Sequence, residues 1–385
     1  MKWFIYTLFI AFICFNTLHA QEIKKQTPDV SQLMDMENKK EKLSVTLNMQ
    51  SRLNFHFNKD FQKAEFDMKD LRIAADGKIN DHFFYAYQHR LYRSNHAGSN
   101  VDNLPASIDI AGIGIALRDD VEVFLGKQCA AYGGMEFDTY PHQVYEFSDM
   151  GDFITCYMTG AKLVWKINKE NELQIQALNS LIKPFEDTYG KIPEVMPAKM
   201  PFVYSLNWNA HTFAGNKEIS VRWSASLMQE AKDKNMYYVA LGNRLKTNRW
   251  DIYLDALYSR EDIDRKGVIT QIINQGKAYS ALNASYLSFI LKANYMFADK
   301  WAVFTKGMYE TASVFKAQPN IETGKYYTSW GYLAGVEFYP IKNSDLHFFA
   351  NYTARSYLYT NKAVNFSDAD KHRISLGFIY SLPVF

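Results

Sequence analysis

From Leu43 to Phe57 the chain alternates between apolar and polar positions. Leu43, Val45, Leu47, Met49, Leu53, Phe55 and Phe57 share one face, interrupted only by Ser51. Ser44, Thr46, Asn48, Gln50, Arg52, Asn54 and His56 share the other. A period of two predicts a β-strand with one apolar and one polar face. Its length, 43–57, exceeds the usual span of about five or six residues. The chain ends the same way: Ile374, Leu376, Phe378, Tyr380, Leu382 and Val384 alternate with Arg373, Ser375, Gly377, Ile379, Ser381 and Pro383. Pro383 has no N–H for a ladder, so this strand is expected to end near Leu382, with Phe385 as an out-of-phase tail.

The pattern recurs in sixteen segments: 43–57, 65–79, 82–93, 107–118, 121–129, 153–167, 172–180, 201–211, 217–229, 235–246, 249–260, 284–297, 300–316, 325–340, 344–358 and 371–384. Every second connection is tight: "IND", "RDD", "NKEN", "FAGN", "TN", "ADK" and "IKNS". The others are generally longer, notably 94–106, 130–152, 181–200, 261–283 and 359–370, with 58–64 and 230–234 as short exceptions. Sorted connection lengths, an even strand number and both termini at the short-turn end are the marks of a transmembrane barrel. A secreted sandwich or solenoid has no reason to sort its loops. The fold class expected is therefore all-β, a transmembrane antiparallel up-and-down β-barrel of about 16 strands, with the last strand pairing with the first to remove both edges. At that strand number a barrel leaves an aqueous channel.

The N-terminus fits export. Lys2 precedes an apolar run from Trp3 to Phe15, and "TLHA" closes before Gln21, the layout of a secretory signal peptide. The domains expected are a signal peptide at 1–20, a flexible periplasmic lead-in at 21–42 and the barrel at 43–385. Removing the signal takes away Lys2 and no acid, so the net charge falls from +2 to +1. That balance excludes the basic stripe of a nucleic-acid binder. Aromatic residues make up 16% of the chain, with 26 tyrosines, and no later apolar run is long enough for a transmembrane helix. Only a closed barrel can then meet lipid, because every backbone polar group must be paired internally. The location expected is the outer membrane of a Gram-negative cell.

In a water-filled barrel the polar faces point inward. The inward basic residues are Arg52, Arg72, Arg90, Lys162, Lys166, Arg222, Arg244, Lys292, Lys306, Arg355 and Arg373, against the acids Asp70, Glu122, Asp251, Asp255, Glu310 and Glu337. This excess predicts a mildly anion-favouring wall; a wetted wall of mixed, paired charge is the alternative. Tyr85, Tyr87, Trp165, Trp208, Trp250, Trp301, Trp330, Phe338, Phe378 and Tyr380 face outward near strand ends, as the aromatic girdles at lipid headgroups do. The loop at 130–152 holds Glu136, Asp138, Glu146, Asp149 and Asp152 and no lysine or arginine. It reads as a constriction folded into the barrel, setting an acidic loop against a basic wall. A solvated acidic loop and a hard-cation site are the other readings. Cys129 and Cys156 stand at its feet, where a disulfide would pin it if their Cα atoms lie within about 7 Å.

No GxSxG, HExxH, P-loop or paired CxxC occurs, so no catalytic residue is assigned. A lipid-facing serine–histidine pair would be the enzymatic alternative; His89 is the histidine with that phase, and its tyrosine neighbours make it a girdle residue. "FDMKDLRIAADGKINDHFFYAYQHRL", "EVFLGKQCAAYGGMEFD", "YEFSDM", "QALNSLIKPFEDTYG" and "PFVYSLNWNAHTFAGN" resemble the phosphate-selective porin O and P family, in its Bacteroidetes branch. The resemblance spans nearly the whole mature chain and is most specific at "LGKQ...YGG". It implies a sixteen-stranded, trimeric outer-membrane channel for small solutes, phosphate among them in some members; no anion-site residue is carried over. The partners expected are the lipid bilayer with its lipopolysaccharide, small anions or other small solutes, the outer-membrane assembly machinery and two further copies of the chain. No cofactor or metal is expected. A plugged binding or adhesion barrel is the alternative function.

Overall fold

The computed structural model describes Met34 and residues 42–273, 278–318 and 321–384. The expected signal peptide, most of the expected lead-in at 21–42 and Phe385 lie outside the described residues. The strands are β1 (Ser44–Asn58), β2 (Asp60–Lys78), β3 (Phe83–Arg90), β4 (Ile108–Arg118), β5 (Val121–Cys129), β6 (Tyr157–Lys166), β7 (Asn171–Asn179) and β8 (Phe202–Ala214). They continue as β9 (Lys217–Ala231), β10 (Lys234–Lys246), β11 (Trp250–Ile263), β12 (Leu282–Ala298), β13 (Trp301–Val314), β14 (Gly324–Phe338), β15 (His347–Tyr359) and β16 (Ala369–Pro383). Each pairs antiparallel with its sequence neighbours, and β1 pairs with β16, closing the barrel. The seven tight turns gather at one rim, and the long connections at the other.

Burial is inverted relative to a soluble protein. Outward apolar side chains such as Leu125, Trp165, Ile175, Leu254, Trp330 and Leu376 are exposed, while inward Asn48, Gln50, Asn54, Gln128, Asn207 and Ser259 are buried. Only a lipid solvent makes the first set favourable. Aromatic pairs brace the outer face: Trp250 stacks on Tyr295 at 4.4 Å, Trp301 packs tilted against Phe338 at 4.6 Å, and Trp208 meets Trp223 edge-on at 5.5 Å. Trp250 and Trp301 open their strands at the tight-turn rim, where a headgroup girdle belongs.

Several strand boundaries differ from the sequence reading, and three have a clear local cause. β2 begins at Asp60 because Lys59 adopts φ 61°, closing a tight hairpin with β1. β6 begins only at Tyr157, because Asp149–Phe153 forms a helical turn instead of strand. Ser148 caps that turn, accepting from the Gly151 N–H at 3.0 Å, the bond an N-cap serine makes. At the C-terminus the ladder runs on to Pro383, and the Val384 N–H donates to the Val45 carbonyl at 2.8 Å.

A loop docked across the lumen

After β5 the chain turns into the barrel. Gly133 and Gly134 have φ of 72° and 81°, a left-handed region open to glycine and costly to other residues. The wall makes room for them: a Cβ on Gly242 would stand 2.7 Å from the Gly134 Cα. The loop then forms α1 (Met135–Asp138), a 3-10 turn (Pro141–Gln143) and α2 (Asp149–Phe153).

Charge fixes this path to the wall. Asp255 on β11 accepts the Met135 and Glu136 N–H groups, both at 2.8 Å. The Glu136 carboxylate accepts from Lys306 on β13 and from Ser148. Glu310 accepts the Asp149 and Met150 N–H groups at 2.8 and 3.0 Å. Arg355 on β15 reaches Asp149 at 3.1 Å and Glu310 at 3.0 Å, and donates to the Phe147 carbonyl. Arg222 on β9 holds Asp138 at 2.9 Å, and Arg373 on β16 holds Glu146 at 2.7 Å. Tyr145 stacks on Phe304 at 4.5 Å and donates to Glu337 at 2.7 Å. His142 bonds Ser381 at 2.9 Å. The loop thus touches strands from β9 round to β16, and Lys69 on β2 donates to its Val144 carbonyl.

The environments of the loop's titratable groups follow from this docking. Burial, reinforced by the positive Arg72, pushes His142 down to about 3, so it is neutral at ordinary pH. Burial alone would raise the Glu146 carboxyl, but Arg373 outweighs it and holds the group below its usual value. Asp152 is exposed and forms no ion pair among the described residues.

All eleven inward cations stand on the inner face, and nine have a carboxylate within 4 Å. Lys162 and Lys292 have none among the described residues. The simple count of free positive charge therefore does not carry over: carboxylates of the loop and of the wall itself neutralise most of it. Arg52 pairs with Asp67 at 2.7 Å, Arg72 with Asp70 and Asp109 at 3.0 and 3.1 Å, and Arg90 with Asp109 at 2.6 Å. Lys166 pairs with Glu122 at 3.0 Å, and Arg244 with Asp251. Cys129 and Cys156 are free thiols, and the Cys129 thiol donates to the Ala130 carbonyl at 3.7 Å. No disulfide joins them in this structure; the Ala130 N–H to Cys156 carbonyl bond, at 2.7 Å, and the Cys129–Tyr157 ladder pair join the loop's feet. Among the described residues no three His, Cys, Asp or Glu side chains converge as a cation site.

The family model for phosphate-selective porin O and P matches residues 43–382. The chain belongs to this porin family. It is accordingly an outer-membrane porin. Its fold is similar to the outer membrane channel DcaP of Acinetobacter baumannii, at TM-score 0.60 and 12% identity over 88% of this chain and 97% of that one. It is similar also to OmpF of Salmonella typhi, solved with daunomycin, at TM-score 0.55 and 13% identity over 88% and 97%. An anion-selective porin from Comamonas acidovorans aligns at TM-score 0.52 and 8% identity over 88% and 99%. No curated protein sequence matches the chain.

Three lumen residues of the porin escape a simple alternation. Between Gln50 and Ser51 the β1–β2 register slips by one, leaving Lys69 as the bulged residue and turning Asp67 inward to Arg52. The slip is written in the outward set, which runs Phe66, Met68, then Leu71, Ile73: a step of three marks the bulge. A second slip between Gln88 and His89 leaves Asp109 extra on β4, buried between Arg72 and Arg90.

Proposed function

We propose that this porin is a passive diffusion channel for small hydrophilic solutes with a weak preference for anions, and not an enzyme. The observation that supports it is the docked loop: residues 130–156 lie across the lumen on polar contacts, the arrangement of a size-setting constriction in a wetted barrel. The preference is weak because only Lys162 and Lys292, of the eleven expected cations, have no carboxylate partner among the described residues. Phosphate enters as one small anion among others; selective capture needs several uncompensated cations converging, and the wall arginines are already held by carboxylates. The family favours a homotrimer, in contact with lipid and lipopolysaccharide, delivered by the assembly machinery that reads the C-terminal strand. A plugged binding barrel is the second reading, favoured by the near-complete burial of Gln50, Gln88 and Gln128 on the inner wall. Liposome swelling decides between them. Reconstituted protein should admit small sugars and small organic anions and exclude large oligosaccharides; vesicles that stay impermeable to every solute would favour the plug.

A further inference from the structure

The inner wall carries several apolar clusters among its polar residues, and one of them includes a residue that precedes the barrel. On β3, β4 and β5, Phe84 and Phe124 toward the tight-turn rim and Ala86 and Ile110 further along the wall form an apolar patch facing the lumen, with Phe84 and Phe124 ring centres 6.2 Å apart. The patch lies flat against the wall because β4 supplies glycines beneath it. A Cβ on Gly114 would fall 1.8 Å from the Phe84 ring, and one on Gly112 2.6 Å from the Phe124 ring. An apolar face toward channel water is unfavourable by the whole of its area, yet Phe84 and Ile110 are 0% exposed and Phe124 1%. Tyr140 of the docked loop and Tyr157 cover it from one side. Met34, itself 3% exposed, packs into the same cluster, with Ala116, Cys129 and Cys156 at its edge.

Met34 precedes β1 by ten residues, up to ~33 Å of extended chain. β1 starts at the tight-turn rim, next to the starts of β3 and β5, so that length reaches the patch from outside the rim. Charge fits as well. Asp35 and Glu37 follow Met34 in the sequence, and Lys162, the ladder neighbour of Phe124, is buried with no carboxylate partner among the described residues. The Gln88 amide nitrogen beside Ile110 is likewise buried without a partner.

We infer that the β3–β5 patch is a docking site for the porin's own N-terminal segment, seated through Met34, and that this narrows the passage on the periplasmic side. The narrowing rests on the channel reading above; the docking does not. The test uses the full chain with Cys129→Ser and Cys156→Ser as background. Ala86→Cys should resist a small charged thiol reagent, and deleting residues 25–40 should speed its labelling by roughly tenfold or more. Met34→Cys combined with Ala86→Cys should cross-link on mild oxidation and shift the unboiled band. Single-channel conductance should rise on the deletion, by roughly twofold if the segment takes half of the section. Equal labelling with and without the segment, together with no cross-link, would overturn the docking. Docking with unchanged conductance in a conducting protein would overturn the narrowing, whereas a native protein that never conducts would count against the channel reading alone.

Discussion

At the residue scale, the lumen is organised by buried ion pairs, whose value lies in position more than in net stability. Glu136 and Lys306 have side-chain exposures of 2% and 3%. Desolvating such a pair offsets most of its attraction, but removing one partner leaves a buried charge and costs about 3–5 kcal/mol. Lys306→Ala should therefore lower stability by that amount in a denaturant titration in detergent, while Lys306→Met with Glu136→Met should come back near the parent. His142 gives a pH dependence with a definite sign. Its folded value lies near 3, against an ordinary 6.5, so below 6.5 the undocked loop binds the proton and the docked loop does not. Docking is at full strength above 6.5 and weakens as pH falls toward 3, by up to ~1.4 kcal/mol per unit. Glu146, held below its usual value by Arg373, adds to the loss below about 4.5. Hydrogen exchange of loop amides, corrected for intrinsic rate, should show weaker protection at pH 5 than at pH 7, and His142→Gln should flatten that difference.

At the scale of elements, the sixteen strands were legible because lipid outside and polar contacts inside enforce a strict period of two. The turn rim was legible for the same reason, since seven tight turns leave no freedom in register. Phase failed where bulges inserted a residue, at Lys69 and Asp109. The loop's acidic composition was visible, but its partners were not. Arg222 and Asp138, or Arg373 and Glu146, meet only because the closed barrel brings distant strands round to one loop. Periodicity carries no information about that. The glycine contact offers a test of the docking. Gly242→Ala places a methyl 2.7 Å from the Gly134 Cα and 2.9 Å from an Asp255 carboxylate oxygen, an overpacking worth about 1–3 kcal/mol. Loop 130–156 should become more sensitive to limited proteolysis, while the heat-dependent gel shift of the barrel stays as in the parent.

At the scale of the molecule, the chain is a lipid-facing cylinder whose interior is occupied by a loop that answers the wall's charges one by one. A single sequence predicts the cylinder, since its strands each carry the pattern. It does not predict the compensation, and counting inward cations alone overstated the positive field. Together the docked loop and the paired wall amount to a conducting lumen with nearly balanced charge. Single-channel recording in a planar bilayer under a potassium chloride gradient tests it most directly. Stepwise currents and a small reversal potential on the chloride side are expected, moved toward cation preference by Lys292→Glu. Absence of any current would contradict the open lumen, and a strongly cation-selective reversal potential would contradict the charge balance assigned to its wall.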